Sequence, residues 1–244
     1  MTLNSTSFII NQNNHAVSMI EAGNLKEAIK ALSASLQSYK RRAQEASSLR
    51  RTEEQTNSEE EQRYNFVAVD QYMMTNKSIL KNKEEGSYTP FIHRNAIVIV
   101  PSSSSKSCYN QQEEEDAIFP IIFFNVALAY HLLAPEFKAD TSSGLQKALY
   151  FYKLAFKKVQ QERKYLDSNF LFVLAILNNM GTIHFQLNKS SFAKHFLDKM
   201  LSILMFLLDS GLGQNFTKYL GGFYDNVIVN CCCSHESLHT AVAA

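Results

Sequence analysis

The sequence contains no tryptophan, and glycine and proline are scarce, at 8 and 4 residues. A chain this poor in turn-formers disfavours a many-stranded sandwich, which needs a turn every 8–12 residues or so, and favours long helices. Charge of neither sign prevails. The net charge of +1 gives no reason to expect a nucleic acid or an anionic membrane as partner. Of four cysteines, three are adjacent at Cys231–Cys233. That spacing makes no disulfide framework, so a reducing, intracellular setting, the cytoplasm, is expected. The opening MTLNSTSFIINQNNHAV lacks a basic stretch followed by an apolar one, so no secretory leader is expected. The sequons at Asn4, Asn76, Asn188 and Asn215 then read as chance. Two catalytic signatures are missing too. There is no G-x-S-x-G, and Gly211-Leu212-Gly213 precedes no G-K-[ST]. Neither a cofactor nor a metal is expected.

Hydrophobic residues make up 45% of the 244 residues, ample for a folded core. Two stretches carry no charged residue, Ala117–Pro135 and Ser168–Asn188. Both are long enough to raise the question of a membrane span. Pro120, Asn125 and His131 in the first, and Asn178, Asn179, Thr182, His184 and Gln186 in the second, are a heavy polar load for a bilayer. Helices buried between neighbouring helices are equally devoid of charge, and no membrane partner is expected.

Periodicity divides the chain into pairs of helices. Residues 1–10 read as a frayed lead-in. A helix from about Asn11 to Ala22 is followed by the turn Gly23-Asn24 and a second helix from Leu25 to about Arg51, with Ala28, Leu32, Leu36 and Tyr39 as its apolar stripe. Thr52–Gln62 is acidic and loop-like. Residues 63–101 change texture. Tyr64–Val69 and Phe91–Val100 are rich in β-branched and aromatic residues and predict two strands of a small antiparallel β-arm about the turn-like Lys81–Pro90. Ser102–Asp116 reads as a loop. The second pair spans 116–165: a helix from Asp116 to Leu133 with Pro120 near its start, then one from Gly144 to Tyr165 presenting Leu145, Ala148, Leu149, Tyr152, Phe156 and Val159. The third pair spans 167–209, capped by Asp167 or Ser168, with a turn near Leu187–Ser190. Gly211, Gly213, Gly221 and Gly222 interrupt the chain beyond this third pair, and 223–230 predicts a short capping helix.

The three pairs align. Asn14, Asn125 and Asn179 stand two residues before Ala16, Ala127 and Gly181, and Met19, Tyr130 and His184 three residues after them. In the second helices Ala28, Ala148 and Ala193 are followed by Leu32, Tyr152 and Leu197, then by Ser35, Ala155 and Met200. Unit two is longer between its helices, and the excess falls at Pro135. Small residues facing each other let two antiparallel helices approach closely, and bulky residues one turn away fill the groove beside them. A single pair cannot bury both its faces, so the pairs must stack.

With these residues and the turns Gly23-Asn24 and Leu187-Asn188, the pattern resembles the tetratricopeptide repeat, a helix–turn–helix unit of about 34 residues. The chain departs from that family in lacking its tryptophan and the proline closing the second helix, and in carrying the β-arm. The whole layout is similar to a divergent group of such repeat proteins from diatoms. The resemblance implies a mainly α fold, a single superhelix of about three units, whose concave face is formed by the first helix of each pair and grips a protein or peptide. On that face it places Asn13, Val17 and Ile20 from unit one, Phe124, Leu128, His131 and Leu132 from unit two, and Asn178, Thr182, Phe185 and Gln186 from unit three. No lysine or arginine falls in these helices, so the carboxylate clamp of chaperone-binding members is not expected; an apolar or amphipathic segment is. The implied function is a non-enzymatic interaction scaffold.

Other readings attach to single residues. An enzyme with a pocket near His131 under the β-arm is the alternative. Of His131, His184 and His195, the first two lack an acid partner at i+3 or i+4 for a metal and the third lies on the second helix of its pair; His184, standing where the repeat takes an aromatic, reads as a packed and hydrogen-bonded core residue. The recurrent Asn14, Asn125 and Asn179 admit two readings: contact with a ligand backbone, or a bond to a neighbouring helix. Cys231–Cys233 with His235 and His239 lacks the C-x-x-C pairing of a structural zinc site and reads as a terminal tail. The basic run Lys40, Arg41, Arg42, Arg50 and Arg51 leads straight into Glu53, Glu54 and Glu59–Glu61, which fits a solvated charged face.

Overall fold

The computed structural model describes residues 5–50, 92–99, 111–136, 140–161, 170–211 and 220–228. Among them the protein is mainly α-helical and has no strand. The helices are α1 (Ser5–Glu21), α2 (Leu25–Arg50), α3 (Gln111–Leu133), α4 (Thr141–Gln161), α5 (Phe170–Gln186), α6 (Ser190–Asp209) and α7 (residues 220–228). A 3-10 turn, Ala134–Glu136, follows α3. Helix α1 packs on α2, α3 on α4 and α5 on α6, while α2 meets α3 and α4 meets α5.

The small-residue positions sit where the helices of a pair approach. Ala16, Ala28, Ala127, Ala148 and Ala193 are all buried. At Gly181 the side chains of Leu197 and Phe196 and the carbonyl of Ala193 all lie close to where a β-carbon would stand. The α1–α2 and α5–α6 turns match residue for residue. Gly23 N–H donates to Ile20 O and Asn24 N–H to Met19 O; Asn188 N–H donates to Phe185 O and Lys189 N–H to His184 O. Both are six-to-one, five-to-two helix terminators with one left-handed residue, Gly23 at φ 80° and Asn188 at φ 56°.

Several boundaries differ from the periodicity. Helix α1 begins at Ser5, ahead of Asn11, because Ile9 and Ile10 are buried. Helix α3 begins at Gln111, so residues 111–116 are helical and Pro120 lies in the helix interior, where it withholds a hydrogen bond from the carbonyl of Asp116. Gly221 and Gly222 lie within helical residues 220–228. The predicted strand Tyr64–Val69, the turn Lys81–Pro90 and the cysteine tail lie outside the described residues, as do the expected caps Asp167 and Ser168.

Both uncharged stretches are core. Helix α5 is buried without a break from Phe172 to His184, because α4, α6, α7 and the 92–99 segment all touch it. Among the described residues one stretch, Ile118–Glu136 of α3 and the turn after it, is long and apolar enough to cross a membrane, and most of it is buried inside the protein. Its Phe119 lies against Tyr39 of α2, and its Phe124 against Tyr152 of α4 and Phe172 of α5.

Candidate peptide groove

The faces of α1, α3 and α5 do not stand open. Residues 92–99, the described part of the second predicted strand, lie across all three, without helix or sheet. An extended segment outside a sheet has amide groups that need partners once buried. A carboxamide side chain offers one acceptor and one donor at the spacing of a peptide unit, so it can pair with both backbone groups of one residue.

The recurrent asparagines do this three times. Asn14 Oδ1 accepts from Ile99 N–H at 2.8 Å, and its Nδ2 donates to Ile99 O at 2.7 Å. Asn125 Oδ1 accepts from Ile97 N–H at 2.9 Å, and its Nδ2 donates to Ile97 O at 2.8 Å. Asn179 Oδ1 accepts from His93 N–H at 2.8 Å, and its Nδ2 donates to His93 O at 3.0 Å. The segment therefore runs against the repeat order, from unit three to unit one.

A second set of bonds holds these amides in place. Asn13 Nδ2 donates to Asn14 Oδ1, and Asn178 Nδ2 to Asn179 Oδ1. Asn13 also donates to Ile97 O and accepts from Asn125 Nδ2, linking units one and two. Asn179 Nδ2 reaches the Tyr152 hydroxyl at 2.9 Å. Asn226 of α7 donates to Asn178 Oδ1. Burial raises the Tyr152 hydroxyl above the ordinary phenol range, with the Asn179 bond opposing, so it stays protonated.

Register follows from two repeats that do not match. Neighbouring helices stand about 8–10 Å apart, whereas every second residue of an extended chain, the one that presents its backbone to the same side, recurs about every 6.7 Å. Steps of two residues (Ile97 to Ile99) and four residues (His93 to Ile97) average about 10 Å per unit. Side chains contribute as well: His93, Ala96, Ile97 and Ile99 are buried, and Arg94 is exposed.

The expected groove residues are thus mostly interior. Asn13, Val17, Ile20, Phe124, Leu128, His131, Asn178 and Thr182 are buried, Leu132 is half-buried, and only Phe185 and Gln186 are exposed. Asn13 and Asn178 do belong to the polar network, and Phe124 touches the ring of His93. Thr182 instead bonds back to Asn178 O within its own helix. The residues that hold the segment's backbone, Asn14, Asn125 and Asn179, were absent from the expected lining, although their recurrence marked them.

The histidines divide by environment. His93 stacks on Phe223 of α7, ring centroids 5.8 Å apart and planes 15° apart, and burial pulls its pKa down to about 4. Burial also pulls His131 to about 4; the Gln186 amide, near it but outside hydrogen-bond geometry, opposes, and the Arg94 charge adds to the fall. Both rings are neutral at pH 7, far from the poise of a general base. His184 lies between Phe192 and Phe196, at 5.2 and 5.4 Å, and burial lowers it, with Lys153 and Lys189 acting the same way. Among the described residues no hydrogen bond reaches either of its ring nitrogens, so the expected packing is present and the expected hydrogen bond is not.

What the site can do is pair with the backbone of an extended chain. Among the described residues no three of His, Cys, Asp and Glu gather as metal ligands would. Compared with protein-family models, with curated proteins and with solved structures, the chain matches none.

Proposed function

We propose that this protein is a non-enzymatic interaction scaffold, a tetratricopeptide-like superhelix whose first helices form a cradle for an extended polypeptide. The observation that carries this reading is the threefold pairing of Asn14, Asn125 and Asn179 with alternate residues of one segment. A bond to a neighbouring helix would need one such amide. A series at repeat spacing, aimed at peptide backbone, is what a backbone-reading groove needs. An extended occupant fits it better than a helical one, whose backbone groups bond internally. The lack of lysine and arginine in α1, α3 and α5 also argues for an apolar segment over a terminal carboxylate.

The test uses the full chain with Ile97→Asp and Ile99→Asp, which weaken the resident segment and leave the asparagines intact. A labelled peptide of residues 91–100 is titrated in and followed by fluorescence anisotropy. Saturable binding that Asn125→Leu reduces by about tenfold or more is the expected result. A helical, folded variant that binds nothing would defeat the proposal.

A further inference from the structure

We infer that the 92–99 segment is a tethered place-holder, and that the groove's partner in trans is an extended segment of another protein with an uncharged aromatic ring where His93 sits. That partner also carries a small residue three positions later and aliphatic residues four and six positions later. The inference rests on the proposed reading and adds the partner's chemistry and its competition with the chain's own segment.

Asparagine pairing is blind to sequence, since every residue but proline offers the same N–H and C=O. Selectivity must come from the buried side chains. Three of the four are well matched: Ala96, Ile97 and Ile99 are apolar and buried. His93 is the exception. Its ring lies flat against Phe223 and tilted against Phe124, an environment for a planar hydrocarbon. Its Nε2 is buried and meets no hydrogen-bond partner among the described residues. A buried polar atom without a partner weakens the complex that contains it. A phenyl ring fills the same slot and leaves nothing unsatisfied, so the resident segment is a beatable ligand at one position.

Beatable is what a tethered occupant must be. Joined at both ends to the same chain, the resident segment competes at an effective concentration on the order of millimolar. A free segment of equal affinity would rarely displace it. A ligand bound about tenfold tighter, the equivalent of about 1.4 kcal/mol, shifts that balance. The slot for residue 93 is where such a gain is available.

Two labelled probes test this: the peptide of residues 91–100, and the same peptide with Phe in place of His93. On the full chain carrying Ile97→Asp and Ile99→Asp, the Phe probe should bind about tenfold tighter. On the intact chain it should bind measurably at high micromolar concentration, and His93→Phe in the chain should weaken that binding by about tenfold, because the resident segment then competes on equal terms. The same substitution should slow hydrogen exchange at the amides of Ile97 and Ile99. If the His probe binds and the Phe probe binds no tighter, the aromatic code is wrong while the groove remains a peptide site. If neither probe binds a folded opened chain, the proposed function fails with it. Should the opened chain not fold, the intact chain still decides. Faster exchange or unchanged probe binding in His93→Phe overturns the inference, and slower exchange with weakened binding supports it.

Discussion

Units one and three are built on one plan and do different work. Each has an Asn-Asn pair whose first member donates to the second, and each second member grips one residue of the segment. Each ends its first helix in the same terminator. Yet Asn14 is half-buried at the end of the array, while Asn179 is fully buried and also holds Tyr152. The partner of Asn179 is in turn tied to α7 through Asn226. The same carboxamide therefore carries different weight by position, since an orphaned amide costs most where water cannot reach it.

That difference gives the largest expected effect. Asn179→Ala strands the N–H and C=O of His93 and the Tyr152 hydroxyl in the interior and should cost about 3–5 kcal/mol. Asn14→Ala lets water reach Ile99 and should cost about 1 kcal/mol. Denaturant midpoints of the two variants check this, and equal losses would show that burial does not set the ranking.

Acid should open the two ends unequally. His93 and His131 have folded pKa values of about 4 against 6.5 for the free side chain. Between these values the unfolded state takes up a proton that the folded state refuses. Stability is therefore full above about pH 6.5 and falls towards pH 4, by about 2 kcal/mol for each histidine at pH 5. Unit one has Ile20 where unit two has His131, and Ile99 where unit three holds His93. Hydrogen exchange at the His93 amide should accelerate on acidification before that at Ile99. His93→Phe should reduce the pH dependence of the thermal midpoint below pH 6.5, leaving the parts due to His131 and His184.

The two turns offer an exchange of parts. Helix α6 starts at Lys189 without a side-chain cap, and Asn188 sits in the left-handed region that glycine enters freely. Replacing Asn188-Lys189 with the Gly-Asn of unit one should stabilise the protein by about 1 kcal/mol, largely through the new cap. Gly23→Ala should destabilise unit one by about 1 kcal/mol. Thermal melts of both variants measure the pair, and a loss on grafting would mean that the turns differ in more than sequence.

Much of this was legible in the sequence, and the failures have physical causes. Ala16, Ala28, Gly181 and Ala193 announced the helix crossings because close approach admits few side chains. The β-branched run at 91–100 announced an extended chain. Periodicity cannot say what pairs with such a chain, so a partner strand was expected where asparagine side chains stand. The N-terminal turn of α1 was discounted although Ile9 and Ile10 continue the stripe of Asn13, Ala16, Val17 and Ile20. The expected groove residues were drawn from the right faces, but sequence does not reveal that a face is already occupied. Leu128 and Val17 therefore looked available and are interior.

The smallest effect tests the alignment itself. At the position of Ala16 and Ala127, unit three has Gly181. A β-carbon there would lie 3.5 Å from Leu197 Cγ, 3.6 Å from Phe196 Cβ and 3.7 Å from Ala193 O, which is ordinary contact. Gly181→Ala should then keep the α5–α6 crossing and recover helix propensity, stabilising the protein by about 0.5–1 kcal/mol. Gly181→Leu would overfill the same site and should cost about 1–3 kcal/mol or more. The two substitutions bracket the crossing, and both are read from the denaturant midpoint. If the alanine variant instead loses about 1 kcal/mol or more, α5 and α6 pack closer than α1 and α2, and unit three is not a copy of unit one at its centre. If it gains, the three units share one crossing geometry, and glycine at 181 is a substitution that the fold does not require.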